Sequence, residues 1–167
     1  MRVLVTGSDG YLGSLLVTEL RRGGHEVATL DSGLYRRALL EPRDDPASTG
    51  DTRDVAAAAL AGRDVVVHLA ELSNDPLGEL DPDLTVAINH RGSVRLADLA
   101  AEAGVGRFVY FSSCSVYGAT GDAIVDEDGP TNPLTAYARC KVAVEQDLLG
   151  TDRGDLVPVM LRNATVY

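Results

Sequence analysis

Lysine is almost absent from this chain of 167 residues: of fifteen basic side chains, all but Lys141 are arginine. Arginine therefore carries the surface charge, the ion pairing and the solubility. The one position kept as lysine points to chemistry that a guanidinium does not perform, since a compact ammonium approaches a phenol oxygen or a diol in ways a planar fork cannot. A phenol stands four residues before it, in Tyr137-Ala138-Arg139-Cys140-Lys141. Cysteine is scarce as well. Cys114 and Cys140 make neither a disulfide framework nor a four-ligand zinc site, and no metal is expected. No apolar run approaches the roughly 18 residues of a membrane span. Dense positive charge is missing too: net charge is −10 and no basic cluster is longer than Arg21-Arg22 or Arg36-Arg37. That argues against nucleic acid and anionic membrane as main partners. The N-terminus enters a strand pattern at once and leaves no room for a signal peptide, so a reducing cytoplasm is the expected location.

What is present reads as one soluble globular domain, with 45% apolar and 24% charged residues. Apolar runs alternate with longer stretches of helical period, the pattern of βαβ units in a mostly parallel, doubly wound sheet with helices on both faces. Strands are expected at Arg2 to Thr6, at Glu26 to Leu30 ending on Asp31, at Asp64 to Leu69, at Arg107 to Phe111 and at Leu156 to Leu161. Helices are expected over Gly10 to Arg22, over the alanine-rich Asp54 to Leu60, from Pro82 or Asp83 to Ala103, and over Thr135 to Leu149. Leu34 to Gly50 has no clear period, two prolines and a charge cluster. An irregular, mobile segment is expected there, with Ala47 to Gly50 as weak material for a third strand before Asp51.

The richest local signal is Thr6-Gly7-Ser8-Asp9-Gly10-Tyr11-Leu12-Gly13, where the first strand hands over to the first helix. Gly7 permits the tight turn, Gly10 lets backbone approach a ligand, and Gly13 lets helix and sheet pack closely. Free N–H groups near Tyr11 and Leu12 then face a pyrophosphate along the helix dipole. Asp31 ends the second strand, where a carboxylate accepts from both ribose hydroxyls of an adenosine and repels a 2′-phosphate. NAD is therefore favoured over NADP, with Arg36 and Arg37 close enough downstream to keep NADP as a second option.

Together, several motifs resemble the extended short-chain dehydrogenase/reductase family of nucleotide-sugar epimerases, dehydratases and ketoreductases. The matching pieces are TGSDGYLG from Thr6, Asp31, GDTRD from Gly50, HLAE from His68, Asn89, FSSCSVYG from Phe111, YARCK from Tyr137 and LRNATVY from Leu161, over essentially the whole chain. The resemblance implies a Rossmann-type dinucleotide-binding domain over 1–167, with NAD bound at the carboxyl ends of the strands. It also implies that Asp51 and Thr52 lie by the adenine, and Leu69, Ala70 and Glu71 along the ribose and pyrophosphate. Glu71 departs from the pattern, in which alanine or glycine is commoner. Ser73 and Asn74 would touch substrate or nicotinamide ribose. Asn89 reads either as the family's inward polar residue beside the cofactor or as a buried structural amide. His68 reads as a packing residue, Tyr117 as part of the loop, and Cys114 and Cys140 as small packing residues.

The resemblance carries the catalytic set over to Ser113, Tyr137 and Lys141, with Ser113 also touching substrate. Tyr137 would exchange a proton with a sugar hydroxyl; Lys141, together with the positive nicotinamide ring, would lower its titration, and Lys141 would also hold the nicotinamide ribose. Dehydratases of the family follow their catalytic threonine with an acidic pair; Cys114 and Ser115 stand there instead, which argues against a 4,6-dehydratase. Two enzyme readings remain, an NAD-dependent nucleotide-sugar epimerase working through a keto-sugar and an NAD(P)H-dependent 4-ketoreductase, with the epimerase favoured by Asp31. A reading of another class is a non-catalytic dinucleotide-binding protein or inactive cofactor-binding fragment. The chain stops at Tyr167 inside the LRNATVY segment, so the family's C-terminal substrate-binding region is expected to be missing. A homodimer through the helices around 83–103 and 135–149 is also implied.

Overall fold

In the computed structural model, which describes residues 1–38, 48–73, 75–121 and 124–166, six strands form one sheet. The strands are β1 (Arg2–Thr6), β2 (Glu26–Asp31), β3 (Ser48–Thr49), β4 (Val65–His68), β5 (Arg107–Ser113) and β6 (Val157–Asn163), and their spatial order is β3-β2-β1-β4-β5-β6. Every pairing is parallel, with Val3 beside both Val27 and Val65, and Ser113 beside Asn163. All carboxyl ends therefore lie along one edge. The chain starts in the middle at β1, winds out to β3, then returns to β4 and winds the other way. The β1–β4 boundary is thus the point where the two windings diverge and a crevice opens above the strand ends.

Alternation along the strands builds two apolar layers. Val3, Val5, Val65 and Val67 face α1 (Tyr11–Arg22) through Val17. Leu4, Val66, Phe108 and Tyr110 face the other way, where they meet Leu96, Ala97 and Ala100 of one helix and Val144 and Leu148 of another. Those are α4 (Ser93–Glu102) and α5 (Ala136–Gly150). Both faces of the central strands are covered, which is why they read as unbroken apolar runs.

The expected helix from Pro82 to Ala103 exists but is not uniform. A four-residue α-helical turn, α3 (Pro82–Thr85), passes into a π-helical stretch, Val86–Gly92, before α4 begins. The wider turn buries Asn89 and Gly92 together. The sequence reading missed α2 (Asp75–Leu80), six residues with Pro76 in the first turn. The expected alanine-rich helix over Asp54 to Leu60 is corrected to two 3₁₀ turns, Thr52–Asp54 and Ala57–Ala59, separated by an extended Val55. Seven residues make too little helix to support itself, and the broken path buries both Val55 and Leu60. The weak third strand is present as two residues. Residues 39–47 of the stretch expected to be irregular and mobile lie outside the described residues. Among the described residues no helix is long and apolar enough to cross a membrane.

Candidate active site

The floor of the crevice is the glycine turn. Gly7 has φ 72° and donates its N–H to Leu30 O at 2.9 Å. A Cβ there would lie 2.6 Å from the Ala70 nitrogen, so only a residue without one lets β1 and the segment after β4 approach this closely. Gly13 is tighter still: an added Cβ would sit 2.1 Å from Gly7 O. Gly13→Ala must force the first turn of α1 off the sheet. It is expected to cost about 2–3 kcal/mol of stability and to weaken dinucleotide binding, readable by thermal unfolding with and without NAD. The N-cap of α1 is Gly10, which has no side chain of its own to cap the N–H groups that follow. They open into the cleft that Tyr11 and Leu12 line, as an anion site requires.

Beside this turn lies a cavity of about 140 Å³ bounded by Asp31, Asp51, Thr52, Leu69 and Ala70. Asp31 is buried and accepts from Asp9 N at 2.9 Å and Gly33 N at 2.7 Å, which ties the glycine turn to the end of β2. Asp51 accepts from Arg53 through backbone and guanidinium, and this hydrogen bonding holds its carboxyl below the usual value. Arg36, one of the two arginines that kept NADP in play, donates to Asp9 at 2.9 Å and to Thr49 at 3.2 Å. Its charge faces a buried carboxylate there.

A larger cleft of about 540 Å³ continues across β1 and β4 to the end of β5 and α5. It brings Ser113, Tyr137 and Lys141 together, with Ser73 at its rim and Asn163 from β6 opposite. Ser113 Oγ accepts from Ser115 N (3.2 Å) and Ser115 Oγ (2.9 Å) and is hydrogen-bonded to Tyr137. With two donors already on its oxygen, the Ser113 proton is the one left for the phenol oxygen. Tyr137 sits in the first turn of α5, and that turn is fixed from α2. Thr135 caps it by accepting from Ala138 N at 3.1 Å, Thr135 donates to Asp75 at 2.5 Å, and Glu79 accepts from Ala136 N at 2.5 Å. Gly78 lies against the Tyr137 Cβ at 3.5 Å from where its own Cβ would be. A Pro in the first turn after Asp75 was the one sequence signal for this helix.

Lys141 is 4% exposed. Its ammonium donates to Phe111 O, lies 4.5 Å from the centre of the Tyr110 ring and 5.3 Å from that of Tyr137, and stands 2.5 Å from Glu71 Oε2. That last contact is a buried ion pair. Glu71 also accepts from Tyr110 OH at 2.7 Å. Burial pushes its carboxyl up, and Lys141 pulls it back. Tyr137 differs from expectation. Its hydroxyl is pushed up to about 12, first by burial and then by the Glu71 charge, against the pull of Ser113. Lys141, expected with the nicotinamide to lower it, faces the Glu71 carboxylate here.

His68 is buried between Thr6 Oγ1 (2.6 Å) and Ser93 Oγ (2.8 Å), and burial followed by the Lys141 charge holds it down at about 3. It is a neutral packing residue. Asn89 clasps Leu72 through both backbone groups, at 2.8 Å and 3.0 Å, and so shapes the segment after β4 rather than facing either cavity. Asn74 lies outside the described residues. Cys114 and Cys140 are free thiols, the first exposed and the second buried. Among the described residues no cluster of three His, Cys, Asp or Glu side chains could hold a metal.

The family model described as "NAD dependent epimerase/dehydratase family" matches residues 3–167. A UDP-glucose 4-epimerase of Mycolicibacterium smegmatis is 38% identical over 154 residues, covering 87% of this chain and 49% of that protein. Among solved structures, MoeE5 in complex with UDP-glucose and NAD superposes with a TM-score of 0.84 at 31% identity, over 97% of this chain and 54% of that one. The UDP-glucose 4-epimerase of Thermus thermophilus in complex with NAD gives 0.84 at 30% identity, over the same shares. The chain thus spans about half the length of the curated relatives it matches.

Proposed function

The chain belongs to the NAD-dependent epimerase/dehydratase family, and from that premise we propose that it forms the cofactor-binding and proton-transfer half of an NAD-dependent nucleotide-sugar epimerase. The observation that carries this reading is the meeting of Ser113, Tyr137 and Lys141 in one cleft with the glycine turn. The residues fit a dinucleotide: Gly7 and Gly13 let the turn pack tightly under the cleft, and the N-cap of α1 is Gly10, which carries no capping side chain. Gly10, Tyr11 and Leu12 would hold the pyrophosphate, Asp31 the adenosine ribose, Asp51 and Thr52 the adenine, and Lys141 the second ribose. Leu69, Ala70 and Glu71 would run alongside. Bound NAD supplies the acceptor and donor of hydride.

The chain's own residues handle the proton. Tyr137 takes it from a sugar hydroxyl as the carbon is oxidised and returns it when the keto-sugar is reduced. Ser113 donates a hydrogen bond to the reacting oxygen and so holds it at the phenol. Ser73, Asn74 and Ser113 would touch the sugar nucleotide. Because the matched relatives are about twice as long, the rest of the substrate pocket is assigned to a region outside this chain. UDP-glucose is the first substrate to try, since it is named for the relatives above. The two free thiols suit the cytoplasm. The assembly proposed is a homodimer through the helices around 83–103 and 135–149.

One preparation tests both points. Purified protein is denatured and the released nucleotide identified, while its mass is read by sedimentation. Near one NAD per chain in a dimer is the expected result. Empty protein that takes up NADPH in preference to NAD would replace the epimerase with the ketoreductase, and a monomer at micromolar concentration would remove the dimer.

A further inference from the structure

Glu71 lines the cleft, and the proposed chemistry leaves its charge without a task. Its side chain is 2% exposed, at the end of the turn that leaves β4. Three elements hold it: Tyr110 OH from β5 at 2.7 Å, Ser93 Oγ from the start of α4 at 3.5 Å, and the Lys141 ammonium from α5 at 2.5 Å. Behind Ser93 the polar chain continues through His68 to Thr6. The carboxylate is therefore aimed by buried partners rather than by solvent.

We propose that Glu71 is a positioning residue for proton transfer: it holds the Lys141 ammonium in a buried, electrically cancelled pair and so keeps Tyr137 as a phenol in the resting protein. The argument is geometric. Lys141 is 5.3 Å from the Tyr137 ring centre and Glu71 is 2.5 Å from Lys141, so the ammonium that would favour phenolate already faces a carboxylate. Among the described residues no other cation is seen against the phenol. From α2, Asp75 and Glu79 face the start of α5 with negative charge; from β5 come Ser113 and Tyr110, and from the turn after it Cys114; from α5 itself come Cys140 and Arg139, and Arg139 is exposed and lies 3.7 Å from Glu79. Burial first, and the Glu71 charge after it, displaces the Tyr137 hydroxyl upward. A phenol is the form that delivers a proton to a forming alkoxide. Glu71 thus favours the reducing half of the cycle and opposes the oxidising half, which needs phenolate.

This consequence rests on the function proposed above, but the test does not. Tyrosine labelled with ¹³C at Cζ is incorporated, the Tyr137 resonance is identified by its loss in Tyr137→Phe, and its midpoint is followed with pH in protein without substrate or cofactor. The wild-type midpoint is expected above the ordinary value near 10, and Glu71→Gln is expected to lower it by at least about one unit. Glu71→Gln leaves a buried ammonium without its partner, so Glu71→Gln/Lys141→Met is measured beside it. Both charges are gone there, and the midpoint is expected within about half a unit of wild type. A wild-type midpoint at or below 10, a Glu71→Gln midpoint unchanged, or a double variant shifted well above wild type would each overturn the proposal. A chain that titrates as expected yet never turns over a sugar nucleotide would overturn the function and leave Glu71 as described.

Discussion

Tyr137→Phe is expected to lower turnover of UDP-glucose by roughly 100- to 10,000-fold, the contribution of a positioned proton-transfer group, with NAD binding largely intact. The ring stays where Gly78 and the capped first turn of α5 put it, and only the hydroxyl is lost. Ser113 keeps its two bonds from Ser115 and loses only the phenol as acceptor for its own proton, at a position that opens to the cleft. The comparison is made in a preparation with measurable turnover, by following UDP-glucose to its C4 epimer, and the same variant is titrated with NAD. Wild-type turnover in this variant would remove Tyr137 from the proton path. Loss of NAD binding together with turnover would make its role structural.

Lys141→Met should be the most damaging single change to stability. It strands Glu71 in a site that is 2% exposed, and breaking a buried pair by removing one partner costs about 3–5 kcal/mol. The loss should depend on pH, and its sign follows from the carboxyl. Burial already raises Glu71 above its ordinary 4.5, and the ammonium is what opposes that rise. Without Lys141 the folded protein holds the Glu71 proton more tightly than the unfolded chain does. Stability is then greatest below about 4.5 and falls as pH climbs from there through the raised folded value. Denaturant unfolding at pH 5 and pH 8 should show Lys141→Met nearer to wild type at the lower pH, and Glu71→Gln in the same background should recover most of the loss at pH 8. An equal deficit at both pH values would mean that lost packing by the lysine stem, not the stranded carboxylate, explains it. NAD binding and turnover should both suffer.

The first βαβ turn was legible because its signals are local: three glycines at fixed spacing, an apolar run before them and Asp31 after the next. Each boundary there fell within a residue of the structure. The same locality explains the failures. Asp54 to Leu60 looks helical by composition, but its path is decided by Val55 and Leu60 reaching a core built from distant strands. α2 is too short to develop a period, and β3 pairs through only two residues at the sheet edge. The π-helical widening has no signature in residue type, yet it turns Asn89 onto Leu72. For the site, Tyr137, Lys141 and Ser113 could be nominated from motif spacing, and the cleft gathers them. The company Lys141 keeps could not. Glu71, Ser93, Tyr110 and Lys141 come from four elements across seventy residues, and only the fold puts their polar atoms within reach of one another.

The scarcity of lysine acquires an experimental meaning once Lys141 is seen to be buried. Apart from the terminal amine of Met1, this chain offers acylating reagents a single primary amine, carried into the cleft by a residue that is 4% exposed. A surface crowded with lysines would drown such a signal. Here the rate at which the buried nitrogen becomes available reports how often the Glu71 pair comes apart, so an ordinary labelling reaction becomes a clock for the breathing of this one corner of the molecule.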